Sequence, residues 1–147
     1  MSARTQPLVL FRKQATSLLR DYAELMKLRV TTLIVMTAWC GYYFGAQKAG
    51  VSWLSWGLFN ALLGIGLVSS GTAALNEVME YKVDARMRRT AQRPLPAGRM
   101  SLRHAAIAGL LATTGGAIYL AAFTNPLTGL LTFLTSVVYL AVYTPLK

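Results

Sequence analysis

Residues 51–75, VSWLSWGLFNALLGIGLVSSGTAAL, carry no charge and run without a break into residues 76–84, NEVMEYKVD. As a helix, the first stretch is longer than the ~20 residues that cross about 30 Å of hydrocarbon. Uncharged runs of similar length recur at 30–46, 105–123 and 126–143. With apolar residues at 54% of 147, four such runs leave too little polar surface to cover them in a soluble core. Lipid satisfies no backbone polar group, so the spans must be helices. The expectation is an all-α integral membrane protein with four transmembrane helices, at about 30–46, 51–75, 105–123 and 126–143.

Charge sets the orientation. Arg4, Arg12, Lys13, Arg20, Lys27 and Arg29 precede the first span, and Lys82, Arg86, Arg88, Arg89, Arg93, Arg99 and Arg103 follow the second. Only Lys48 lies in the first turn, and Thr124-Asn125-Pro126 has no charge. Positive residues stay on the cytoplasmic side, which places the amino terminus, the 77–104 loop and Lys147 there. A bacterial inner membrane is the expected location, with a mitochondrial inner membrane as the rival, because residues 1–20 are basic, hydroxylated and free of acid. The net charge of +10 follows from this topology together with a phosphate site, so nucleic acid is not needed to explain it.

Residues 1–29 read as a cytoplasmic amphipathic segment. Phe11, Ala15, Leu18, Tyr22 and Leu25 recur three or four apart with charged residues between them.

The end of the second span carries the chemistry. Asn76, Glu80 and Asp84 are four residues apart, so they drift by roughly 40° per step and share a helical face over about two turns. Oxygen donors of this kind suit Mg²⁺, which keeps much of its water and is usually shared between carboxylates and substrate phosphates. Arg88, Arg89 and Arg93 follow closely, and guanidinium forks fit phosphate oxygens better than a lysine does. The blander alternative is a solvated helix end with i,i+4 ion pairs. The membrane setting favours a pocket for metal-bound pyrophosphate.

Other residues have plainer readings. Cys40 is alone and reads as a small packing residue, and His104 as an unliganded interfacial histidine. Gly64, Gly66, Ser69, Ser70, Gly71 and Thr72, with Gly115 and Gly116, provide small surfaces for close helix packing. Tyr42, Tyr43, Trp53 and Trp56 fit an aromatic belt around the first turn.

Taken together, residues 76–98 resemble the UbiA superfamily of intramembrane prenyltransferases: an asparagine, two acids at four-residue steps, then Arg89-Thr90-x-x-Arg93-Pro94-Leu95 and Gly98. Met87, the Lys27-Leu28-Arg29-Val30-Thr31 run and Tyr143-Thr144-Pro145-Leu146-Lys147 are similar to its heme-farnesylating branch. Leu28 departs from the proline common there.

The resemblance implies a nine-helix bundle of which this chain is the amino-terminal part, residues 30–147 forming a truncated prenyltransferase domain. A second acidic motif would lie in a later loop, in a longer protein or on a second chain. The implied reaction transfers a farnesyl group from farnesyl diphosphate to a vinyl group of heme b, giving heme O. The implied site has Asn76, Glu80 and Asp84 as catalytic Mg²⁺ ligands. Arg89 and Arg93 contact the diphosphate, with Lys27, Arg29 and Lys147 as further contacts from the same side. Two alternatives stay open: transfer to an aromatic quinone precursor, and a non-catalytic four-helix fragment that binds lipid diphosphate or a partner chain.

Overall fold

The computed structural model describes residues 17–146. The amphipathic reading of residues 1–16, and Lys147, lie outside the described residues. Every regular element among the described residues is helical, so the protein is an all-α integral membrane protein. Residues 17–25 form the described part of α1. Then come α2 (Leu28–Ala49), α3 (Trp56–Asp84), α4 (Leu102–Phe123) and α5 (Pro126–Val138). A π turn (Tyr139–Tyr143) and a last helical turn (Thr144–Leu146) continue α5.

The helix starts follow from local chemistry. Ser55, Ser101 and Asn125 are extended residues whose side-chain oxygens accept from the N–H groups of Leu58, His104 and Thr128, supplying the donors' missing partners at each N-terminus. Pro126 adds a first-turn proline, where no N–H is lost. Leu28 opens α2 directly after Lys27. That is the position at which proline is well tolerated, so leucine there leaves the helix start in place.

The second span differs from the expected 51–75. Residues 51–55 form the turn after α2, which Gly50 closes at φ 67°. At the other end α3 runs nine residues past Leu75, because residues 76–84 contain no glycine or proline to stop it. Absence of charge marks where lipid begins and ends, and the hydrogen-bonded helix does not stop there. At 29 residues α3 is about 43 Å long, so its polar turns extend beyond a 30 Å apolar layer.

Trp56–Asp84, Leu102–Phe123 and Pro126–Leu146 are long and apolar enough to cross a membrane. With 22 residues, α2 matches them in length, but Thr31, Thr32, Thr37, Tyr42, Tyr43 and Gln47 lower its hydropathy. Three helices therefore meet both measures, and α2 meets length alone.

Small residues hold α3 and α4 together. A Cβ on Gly71 would lie 2.5 Å from the Thr113 backbone nitrogen and 2.6 Å from the Gly109 carbonyl oxygen. Gly64 similarly receives Leu120, and Gly116 receives Val68. Between lipid-exposed helices, such close backbone approach supplies the dispersion contacts that a hydrophobic driving force cannot. Gly66 and Gly115 take no part: the first meets only Val35 at 3.5 Å, and the second faces open space.

At the opposite end from Asn76, Trp39, Tyr43 and Trp53 stack in a cluster with centroids 5.9 to 6.4 Å apart, and Tyr42 hydrogen-bonds Ser55. Cys40 is exposed on α2, so it does not pack as expected: on this face α2 has no helix beside it among the described residues.

Candidate functional site at the polar end of α3

Residues 85–101 fold back against the bundle rather than leaving it. Pro94 and Leu95 are buried, and Leu95 packs with Leu25 of α1, Ala74 of α3 and Ala105 of α4. Gly98, at φ 70°, turns the chain out again through a conformation that costs glycine little. Arg99 then pins α1 to the loop. Its Nε donates to Asp21 at 2.8 Å, while its terminal nitrogens reach Glu24 and the Gln92 carbonyl. Tyr22 and His104 hydrogen-bond across the same junction, which gives His104 a structural partner.

This anchoring fixes Arg93, the residue before Pro94. Its Nη1 donates to Asp84 Oδ2 at 2.6 Å, while the Thr90 hydroxyl donates to the Asp84 carbonyl at 2.9 Å. Asp84 is buried although it ends its helix.

Two turns back, Asn76 is fully buried. Lys27 Nζ donates to its Oδ1 at 2.7 Å, and its Nδ2 donates to Thr144 Oγ1 at 3.1 Å. Lys27 sits at the α1–α2 junction with φ 46° and ψ 51°, the left-handed region that a lysine rarely adopts.

Of the residues expected at the site, the structure joins Lys27 to Asn76 and Arg93 to Asp84. Glu80 is half-buried between them on α3. Arg29 and Arg89 are exposed, with no side-chain hydrogen bond to another described residue. Lys147 lies outside the described residues.

The structure adds Glu77, which sequence reading passed over. It is 1% exposed, its Oε1 has no hydrogen-bond partner among the described residues, and Arg93 and Lys27 are the basic groups acting on it. The signal was present: Glu77 and Asp84 are seven residues apart, a displacement of roughly 20° around the helix, whereas Asn76 and Asp84 are roughly 80° apart.

Among the described residues, no three acidic, histidine or cysteine side chains converge as a closed metal cage. The arrangement is open, with carboxylate and carboxamide oxygens turned toward cations and one buried carboxylate oxygen unpaired. That fits Mg²⁺ held by one or two protein oxygens and completed by water and phosphate. Leading away from Lys27 is a cavity of about 410 Å³ between α2, α3 and α5. Its wall is mostly apolar (Val30, Ile34, Ile65, Val68, Leu131), with a stripe of hydroxyls that includes Thr72 and Ser136.

Residues 34–147 match the UbiA prenyltransferase family. The chain belongs to that family. It is 63% identical, over its whole length, to a Koribacter versatilis protein named protoheme IX farnesyltransferase, of which it covers 47%. A Solibacter usitatus protein of the same name is 40% identical over 88% of this chain and 46% of its own length. The Arabidopsis thaliana mitochondrial protoheme IX farnesyltransferase is 38% identical over 87% of this chain and 29% of its own. The chain thus spans about half the length of the first two relatives and less of the third. No solved structure matches it. Within a UbiA-family chain, the two pairs at the polar end of α3 and the cavity that Lys27 lines form the candidate substrate site.

Proposed function

We propose that the chain is the amino-terminal part of a heme-farnesylating prenyltransferase, transferring a farnesyl group from farnesyl diphosphate to a vinyl group of heme b, with diphosphate leaving and water adding to the other vinyl carbon to give heme O. The observation that carries this is the position of Lys27, which donates to Asn76 Oδ1, in the wall of the apolar cavity between α2, α3 and α5. Such a cavity suits an isoprenoid chain, and the cationic and acceptor groups at its end suit a diphosphate.

In this reading Asn76, Glu80, Asp84 and Glu77 would hold Mg²⁺ directly or through water. When bound, the ion offsets negative charge that builds on a departing diphosphate. Arg93 stands ready beside Asp84, and the exposed fork of Arg89 binds phosphate oxygens. Arg29, Lys27 and Lys147 add positive charge from the same side. The hydrocarbon walls exclude water from the allylic carbon until heme b presents its vinyl group. The wider protein sits in a bacterial inner membrane with its amino terminus cytoplasmic, in agreement with the positive residues before α2 and after α3.

The test is to supply membranes containing the protein with Mg²⁺, farnesyl diphosphate and either heme b or 4-hydroxybenzoate, then identify products by mass. Hydroxyethylfarnesyl heme is expected. A prenylated benzoate with no heme product would move the assignment to the aromatic-acceptor branch, and binding without either product would favour the non-catalytic reading.

A further inference from the structure

On α3, Thr72 and Asn76 are one turn apart and both face the helix that begins at Pro126. The Thr72 hydroxyl lies 2.9 Å from that of Ser136, and Asn76 Nδ2 lies 3.1 Å from Thr144 Oγ1. Ser136 and Thr144 are eight residues apart, which on an uninterrupted α-helix would set them roughly 80° apart around the axis. They nevertheless reach the same helix.

The difference lies in the π turn Tyr139–Tyr143, which comes between them. A π turn lodges one extra residue in the helix, so the rotation from Ser136 to Thr144 becomes that of about seven residues, within roughly 20° of a shared face. The turn also brings the Tyr139 carbonyl within reach of Thr144. Both the N–H and the hydroxyl of Thr144 reach the Tyr139 carbonyl oxygen, the hydroxyl at 3.0 Å.

A hydroxyl has one proton and two lone pairs. With its proton on the Tyr139 carbonyl, Thr144 can offer Asn76 only a lone pair, so the carboxamide must present its NH₂ to Thr144. Lys27, which has donors alone, requires the oxygen on the other side. Two independent partners therefore agree on which way the amide points.

We propose that Thr144, turned toward α3 by the π turn Tyr139–Tyr143, is a positioning residue that holds the Asn76 oxygen toward Lys27 Nζ, on the face proposed above to receive the Mg²⁺ diphosphate. No sequence rule for metal or phosphate ligands marks Thr144, because it acts through Asn76. The ligand consequence rests on the farnesyl diphosphate reading above.

The experiment is titration of farnesyl diphosphate with Mg²⁺ into the purified chain in lipid nanodiscs, for wild type, Thr144→Ser, Thr144→Val, Asn76→Ala and the Asn76→Ala/Thr144→Val pair. Thr144→Ser keeps the hydroxyl and should bind like wild type. Thr144→Val should weaken binding about tenfold, the scale of one buried hydrogen bond, and should add no further loss once Asn76 is alanine. Equal losses in the serine and valine variants, or a full valine loss in the Asn76→Ala background, would overturn the proposal. If wild type does not bind farnesyl diphosphate, the functional reading fails. The positioning claim is then decided by melting temperatures: a double variant that loses less than the sum of the singles supports it, and additive losses overturn it.

Discussion

Lys27 reaches Asn76 from a backbone conformation that lysine ordinarily avoids: at φ 46° and ψ 51° its Nζ lies 2.7 Å from Asn76 Oδ1. Left-handed geometry costs a residue with a Cβ roughly 1–2 kcal/mol, and such strain persists only where the surroundings enforce it. Lys27→Gly should relieve the strain and so leave the melting temperature close to wild type, even though a hydrogen bond is lost. Binding of farnesyl diphosphate should fall in the same variant. Retained binding would show that the strained lysine serves the helix junction alone.

Asp84 and Arg93 are joined by a loop that is itself anchored through Pro94 and Leu95. Asp84→Asn keeps the side-chain shape and removes the charge. Transfer should drop by about 10²-fold or more, as for loss of a group that stabilises transition-state charge. Circular dichroism should be unchanged, since Asp84 is the last residue of α3 and asparagine keeps its shape at that buried position. Full activity in this variant would remove Asp84 from the site.

How much was legible in the sequence depended on whether a feature was local. Helical spans show as uncharged runs because hydrocarbon excludes charge, and the Asn76–Asp84 segment shows which oxygen-bearing side chains share a face because spacing along one helix fixes it. Glu77 escaped that logic. A four-residue step selects Asn76, Glu80 and Asp84, but which side of α3 is buried depends on where α1, α4 and the 85–101 loop pack. Thr144 was harder still, since its contact with Asn76 requires a π turn that neither composition nor periodicity announces. The small-residue stripe was visible as a whole, yet only the packed helices separate Gly71, against the α4 backbone, from Gly115, against nothing.

That contrast yields a paired prediction. Gly71→Ala places a methyl against the Thr113 nitrogen and the Gly109 carbonyl, backbone atoms that cannot swing aside. Overpacking of this kind costs about 1–3 kcal/mol, so the melting temperature should fall by several degrees and the detergent-solubilised protein should aggregate sooner. Gly115→Ala meets no atom within 4 Å and gains up to about 1 kcal/mol of helix propensity. It should be neutral or stabilising, and equal damage from the two substitutions would refute this account of the α3–α4 contact.

Glu77 gives the sharpest test of the cation site, because Glu77→Gln and Glu77→Leu separate its charge from its packing. Its Oε1 is buried and without a hydrogen-bond partner among the described residues, while Arg93 and Lys27 supply the nearby positive charge. Glu77 also accepts a hydrogen bond from the Leu95 backbone, and removing one side of a buried charge cluster leaves the other side uncompensated. Glu77→Leu should therefore lower the melting temperature, and Glu77→Gln, which keeps the shape and a hydrogen-bonding oxygen, should lower it less. If the free oxygen faces Mg²⁺, directly or through water, Glu77→Gln and Glu77→Leu should both raise the Mg²⁺ concentration needed for half-maximal farnesyl diphosphate binding, by roughly tenfold as for loss of a supporting ligand. An unchanged Mg²⁺ requirement in both variants would make Glu77 a counter-charge for Arg93 and Lys27, leaving Asn76, Glu80 and Asp84 as the ion's protein donors.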